Sequence, residues 1–104
     1  MRITKPLLQV LAVFLDKPSQ QLSGSDICDQ TKLSTGTVYP ILFRLEQNHW
    51  LCSEWEQVEP KKVGRPRKRL YSLTNKGLIK AQDEFDKLND LLSRRKQDGL
   101  VRDF

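Results

Sequence analysis

The sequence predicts an α+β domain that is mainly helical: three helices, a pair of strands and a long final helix. Three observations carry this. Apolar residues recur at spacings of three and four in the third and last of these helical stretches, the pattern of helices with one buried face. Two short aromatic-bearing stretches, Leu51-Cys-Ser-Glu-Trp-Glu-Gln-Val58 and Leu70-Tyr-Ser-Leu73, read as strands. Between them stands Lys61–Arg69, KKVGRPRKR, with six basic side chains and no acidic one.

The first helix starts behind Thr4 as N-cap, with Pro6 in its opening turn, and runs through Leu15 to Asp16-Lys17. Basic residues ahead of an apolar run give it a passing likeness to a secretory leader. It lacks a small-residue cleavage site and is too short to span a bilayer, so the expected location is cytoplasmic with no membrane partner. Polar Pro18 to Gln21 interrupt. Ser23 or Ser25 then caps a short helix to about Gln30, with Ile27 and Cys28 on its apolar side.

Thr31-Lys-Leu33 is a tight connection, and Ser34 caps a third helix whose stripe is Val38, Ile41, Leu42 and Leu45. Leu51 and Trp55 share one face of the first strand. After the second strand, Thr74 caps a helix from about Asn75 to Lys96. Its seam is Leu78, Ala81, Phe85, Leu88 and Leu92, close to a heptad repeat. Gly77 in its first turn costs some helix propensity, and Gly99 is expected to end it. Residues 1–74 thus form a DNA-binding domain, 75–98 a helix packed with it, and 99–104 a loose tail. This order is that of a winged helix-turn-helix with a two-stranded wing hairpin and a long C-terminal dimerisation helix.

With 104 residues the chain is one domain of modest core, for which self-association is a further source of stability. Removing the +6 of Lys61–Arg69 from the formal net charge of +5 leaves −1 for the rest. Cations gathered on one loop attract a polyanion, and double-stranded DNA is the expected partner. Cys28 and Cys52 have neither CxxC spacing nor secretory context and read as reduced, buried thiols. Catalysis has little support: His49 is the only histidine, no Cys/His cluster has zinc spacing, and no serine or cysteine has a triad context. The reading is a non-enzyme without metal or cofactor. Trp50 and Trp55 are assigned to core and hairpin packing.

The run Leu33-Ser-Thr-Gly-Thr-Val-Tyr-Pro-Ile-Leu-Phe-Arg-Leu-Glu46, then Trp50-Leu51, a wing with Gly64-Arg65, and Tyr71-Ser-Leu73-Thr74-Asn-Lys-Gly77, resembles the PadR-like transcriptional regulators over about residues 5–80. The resemblance implies a winged helix that dimerises through its first and last helices and usually represses transcription. Two departures stand out. Asn48-His49-Trp50 replaces a turn that commonly carries glycine, and the C-terminal part is a single helix. The second argues against ligand sensing by a larger C-terminal domain, and no position here matches the aromatic ligand sites of some members. A small-molecule effector is left open without support.

Two surfaces are expected to meet DNA. On the third helix, Gly36, Pro40 and Gln47 point away from the core, flanked by Thr37, Tyr39 and Arg44. Ser34, Thr35 and Thr37 can donate to phosphates or bases, and Gly36 permits close approach. Tyr39 reaches a phosphate or sugar, Pro40 sets the helix angle, and Arg44 is either a phosphate clamp or a surface salt bridge. Phe43 faces outward, toward the wing or a partner subunit.

In the wing, Gly64-Arg65-Pro66-Arg67 resembles the core of an AT-hook, with Arg65 entering a narrow A·T-rich minor groove. Lys61, Lys62 and Lys68 contact phosphates, while Arg69 contacts phosphate or covers the strand. The leading function is a dimeric, sequence-specific repressor on a pseudo-palindromic site. The alternatives are a DNA-binding structural or partition module without promoter control, and a protein-interaction module docking an acidic partner. RNA binding lacks an exposed aromatic platform.

Overall fold

The computed structural model describes residues 1–102, with the backbone alone for 95–102. Its elements are α1 (Lys5–Asp16), β1 (Leu22–Ser23), α2 (Gly24–Thr31), α3 (Thr35–Gln47), β2 (Leu51–Trp55), α4 (Pro60–Val63), β3 (Arg69–Leu73) and α5 (Asn75–Arg102). Caps explain most boundaries. The Thr4 hydroxyl accepts from the Leu7 N–H to start α1. Ser23 and Asp26 form a reciprocal capping box on α2, the side chain of each accepting the backbone N–H of the other. Ser34 occupies the cap position of α3 without capping it, its hydroxyl lying 3.1 Å from that of Thr37.

The sheet is antiparallel in the order β1-β3-β2, so the two-stranded hairpin gains a third strand at its edge. Leu22 pairs with Tyr71, and Ser53 pairs with Tyr71 from the other side. The sequence hid β1 because two residues are too short for an alternation to register. β2 ends at Trp55 rather than Val58, and Trp55 is exposed instead of sharing the burial of Leu51. Cys52 is likewise exposed and Cys28 half-buried, against the expectation of two buried thiols.

One core joins Leu7, Val10, Leu11 and Phe14 of α1, Ile27 of α2 and Val38, Ile41, Leu42 and Leu45 of α3, closed by Leu22, Trp50, Leu51 and Tyr71. A fully enclosed Leu or Phe contributes about 1.5–3 kcal/mol, which fixes α3 rigidly on α1. α5 packs across α1 and puts fully buried Ala81 into this core, with Phe85 half-buried against it. Ala81, one of the five residues assigned to the dimer seam, thus lies inside the chain's own core, with Phe85 against its edge and Leu78 half-buried. Beyond them α5 runs on through Gly99 to Arg102, so the loose tail expected at 99–104 is helical to 102, and 103–104 lie outside the described residues. A helix of this length spans about 42 Å and draws the molecule out to 68 × 26 × 22 Å.

Candidate nucleic-acid interface

The outward ridge of α3 consists of Gly36, Pro40, Phe43 and Gln47, all exposed and spaced by three and four. Pro40 sits inside the helix and supplies no N–H to the Gly36 carbonyl, leaving that acceptor to an outside donor. A Cβ on Gly36 would meet nothing nearer than the Ser34 hydroxyl at 3.9 Å, so the first turn is thin and open. Phe43, which the sequence left between two neighbours, is 61% exposed and stands on the ridge itself. Thr35 is exposed and Thr37 half-buried. Arg44 is exposed and forms no ion pair among the described residues, which removes the surface salt bridge as its role.

Two grooves flank the ridge. On one side Gly36, Thr37, Pro40 and Arg44 line a depression completed by the cap residue Thr4 and by Pro6 of α1, a contribution that no local motif announces. On the other side, Tyr39 faces Arg65, Pro66, Arg67, Lys68 and Arg69 of the wing across a groove floored by Tyr71. Tyr39 reaches it by lying over Gly24, where a Cβ would fall 2.5 Å from its ring.

The wing is more built than a basic loop. Pro60–Val63 form one helical turn that presents Lys61 and Lys62 to solvent, with Lys62 3.6 Å from Glu59. Gly64 ends the turn at φ 72° with its N–H on the Pro60 carbonyl, so its freedom serves a left-handed cap. Arg65 does not project. Its guanidinium forms a two-pronged pair with Glu56, at 2.7 and 3.1 Å, and also bonds the Pro66 carbonyl at 3.1 Å. That pair holds the Glu56 carboxyl below the usual glutamate value, against the opposing effect of burial and with help from the Lys68 backbone N–H.

Arg67 donates to the Val58 carbonyl at 2.8 Å. Arg69 donates to Ser53 at 2.9 Å, and its guanidinium lies 5.2 Å from the centre of the Trp55 ring, so it covers the strand. Ser53 in turn donates to Glu46 at the end of α3, tying that helix to the hairpin. The extended Gly-Arg-Pro arm expected from sequence is thus folded back by Glu56, nine residues before Arg65.

These elements define a winged-helix domain. Residues 21–83, more than half the chain, match the sequence model of the transcriptional regulator PadR-like family, and the chain belongs to that family. Among solved structures it is similar to a PadR family transcriptional regulator from Eggerthella lenta, with TM-score 0.71 at 20% identity over 91% of this chain and 82% of that one. YusO from Bacillus subtilis gives 0.72 at 22% over 89% and 60%. A mutant of ZitR from Lactococcus lactis gives 0.72 at 19% over 97% and 63%. The chain spans less than two thirds of the length of YusO and ZitR, and at these identities the likeness is one of fold. No curated protein matches. The family is one of transcriptional regulators, not enzymes, and no described helix is long and apolar enough to cross a membrane.

Proposed function

We propose that the chain is a dimeric transcriptional repressor that sets the first turns of α3 in the major groove and the wing against the neighbouring minor groove. The observation that carries this is the placement of the exposed ridge of α3 beside the basic wing, with Tyr39 and Arg65–Arg69 lining one groove. Ser34, Thr35, Thr37 and Arg44 hold the phosphates around the first turns, while Gly36 and Pro40 keep the helix close to the bases. Phe43 on the same ridge is the apolar group available to a thymine methyl. Lys61, Lys62 and Lys68 supply counterion release. Arg65 joins them, or enters the minor groove, only by exchanging Glu56 for DNA.

Repression follows the family's usual action, and dimerisation rests on the distal leucines of α5. Selection of bound duplexes from random DNA at two salt concentrations tests the reading. The expected product is a pseudo-palindrome with half-sites about one duplex turn apart, bound with a salt slope of roughly −0.9 per phosphate neutralised. Enrichment of arrayed repeats would favour a structural module instead, and absence of salt-dependent duplex binding would favour an acidic protein partner.

A further inference from the structure

The groove between α3 and the wing has a volume of about 420 Å³, and at its floor lies a group the surface reading leaves idle. Tyr71, on the central strand of the sheet, is 9% exposed. Its ring belongs to the core, yet its hydroxyl takes part in none of the side-chain hydrogen bonds among the described residues. No fully enclosed polar atom there lacks a partner, so this oxygen opens into the groove it lines. Burial, followed by the nearby Glu46, raises the Tyr71 phenol above its ordinary value, with Arg69 acting the other way and Tyr39 adding to the rise. The hydroxyl stays protonated and is a donor at neutral pH.

The rim is cationic. Arg65, Arg67, Lys68 and Arg69 line it, and the two carboxylates at hand are engaged, Glu56 by Arg65 and Glu46 by Ser53. Lys68 forms no ion pair among the described residues. A donor at the floor of a groove rimmed by cations suits a compact anion with several acceptor oxygens. A strand separating a major groove filled by α3 from a minor groove met by the wing must cross this gap. We infer that the groove seats one backbone phosphodiester of the duplex, accepting from the Tyr71 hydroxyl at the floor and the Tyr39 hydroxyl at the edge, with Lys68 as the counter-charge.

This rests on the DNA-binding reading, and its test separates the two. Single methylphosphonate linkages, which remove charge, are stepped through the bound duplex with the wild type and with Tyr71→Phe. At one linkage the wild type loses about tenfold in affinity, the size of a hydrogen bond to a charged acceptor, and Tyr71→Phe loses far less. On unmodified duplex Tyr71→Phe is weaker by a similar factor with an unchanged salt slope, because a hydroxyl releases no counterion, whereas Lys68→Gln lowers the slope by about one.

Equal losses for both proteins at every linkage would overturn the seat while leaving DNA binding intact. Failure of the wild type on any duplex would overturn the reading beneath it. Inorganic phosphate, titrated into free protein while the Tyr71 ring resonances are followed, forms the remaining arm. Saturation there without coupling at any DNA linkage would assign the seat to free phosphate and sink the duplex assignment.

Discussion

Glu56 is the residue that most alters how the wing reads. Its side chain is 18% exposed and occupies the guanidinium that the Gly-Arg-Pro segment would otherwise offer to DNA. Glu56→Gln keeps a hydrogen-bonding shape but drops the charge. DNA affinity at low salt should rise several-fold and the salt slope steepen by about one, read by anisotropy at several ionic strengths; an unchanged slope would mean that Arg65 already leaves Glu56 in the complex. The pH behaviour follows from the sign of the shift. The folded pKa is depressed, so the contribution of the pair is complete above the unfolded glutamate value and is lost as pH falls through the lower folded one. Side-chain resonances of Arg65 should stay constant from pH 7 to 5 and move only below about pH 4.3. His49 makes the other residue-level forecast. It sits at φ 62° in a Schellman turn, where the Trp50 N–H reaches the Leu45 carbonyl and the His49 N–H that of Glu46. Relief of the left-handed cost in His49→Gly should stabilise by about 1 kcal/mol, raising Tm by roughly 4–8 °C.

Two glycines make opposite forecasts at the junctions between elements. Gly77 starts α5 against the turn between α3 and β2, where Thr74 bonds the Trp50 carbonyl and caps Gly77. A Cβ at Gly77 would lie 1.8 Å from that carbonyl oxygen. Backbone cannot yield there, and Gly77→Ala should cost about 3 kcal/mol or more in denaturant unfolding. The nearest atoms to a Cβ in Gly24→Ala belong to the outer ring of half-exposed Tyr39, which can swing away. Its Tm should hold within a few degrees while DNA affinity falls, because Tyr39 leaves the groove. Equal loss of stability in both variants would refute the distinction. The contacts of Gly77 give that glycine a steric meaning, where helix propensity alone counts it a flaw.

At the scale of the assembled molecule, the question is what covers the outer half of α5. Leu91 and Leu92 are 56% and 51% exposed on a helix that outruns the core. A second copy packed along this half is the arrangement proposed above. Leu91→Gln with Leu92→Gln should leave Tm nearly unchanged and shift sedimentation from dimer to monomer, with a steep loss on two-half-site DNA and little on a single half-site. A double variant that stays dimeric would place the interface elsewhere.

Much of the architecture was legible in the chain. The stripe Val38, Ile41, Leu42 and Leu45, the caps at Thr4, Ser23 and Thr74, and the strands around a basic segment each depend on spacing within a few residues, which a sequence displays directly. The outward set from Ser34 to Arg44 follows from the same periodicity. Other features join residues far apart, and no local pattern reports them. Glu56 folding Arg65 back, Tyr39 lying over Gly24, Gly77 against the Trp50 carbonyl, and Thr4 and Pro6 completing a groove beside Arg44 all needed the packed chain. The seam of α5 shows the division most clearly. Its heptad spacing was plain, but only the crossing with α1 decided that Ala81 enters the core with Phe85 at its edge while Leu91 and Leu92 stay uncovered, because burial depends on what a face meets and not on the spacing that creates it.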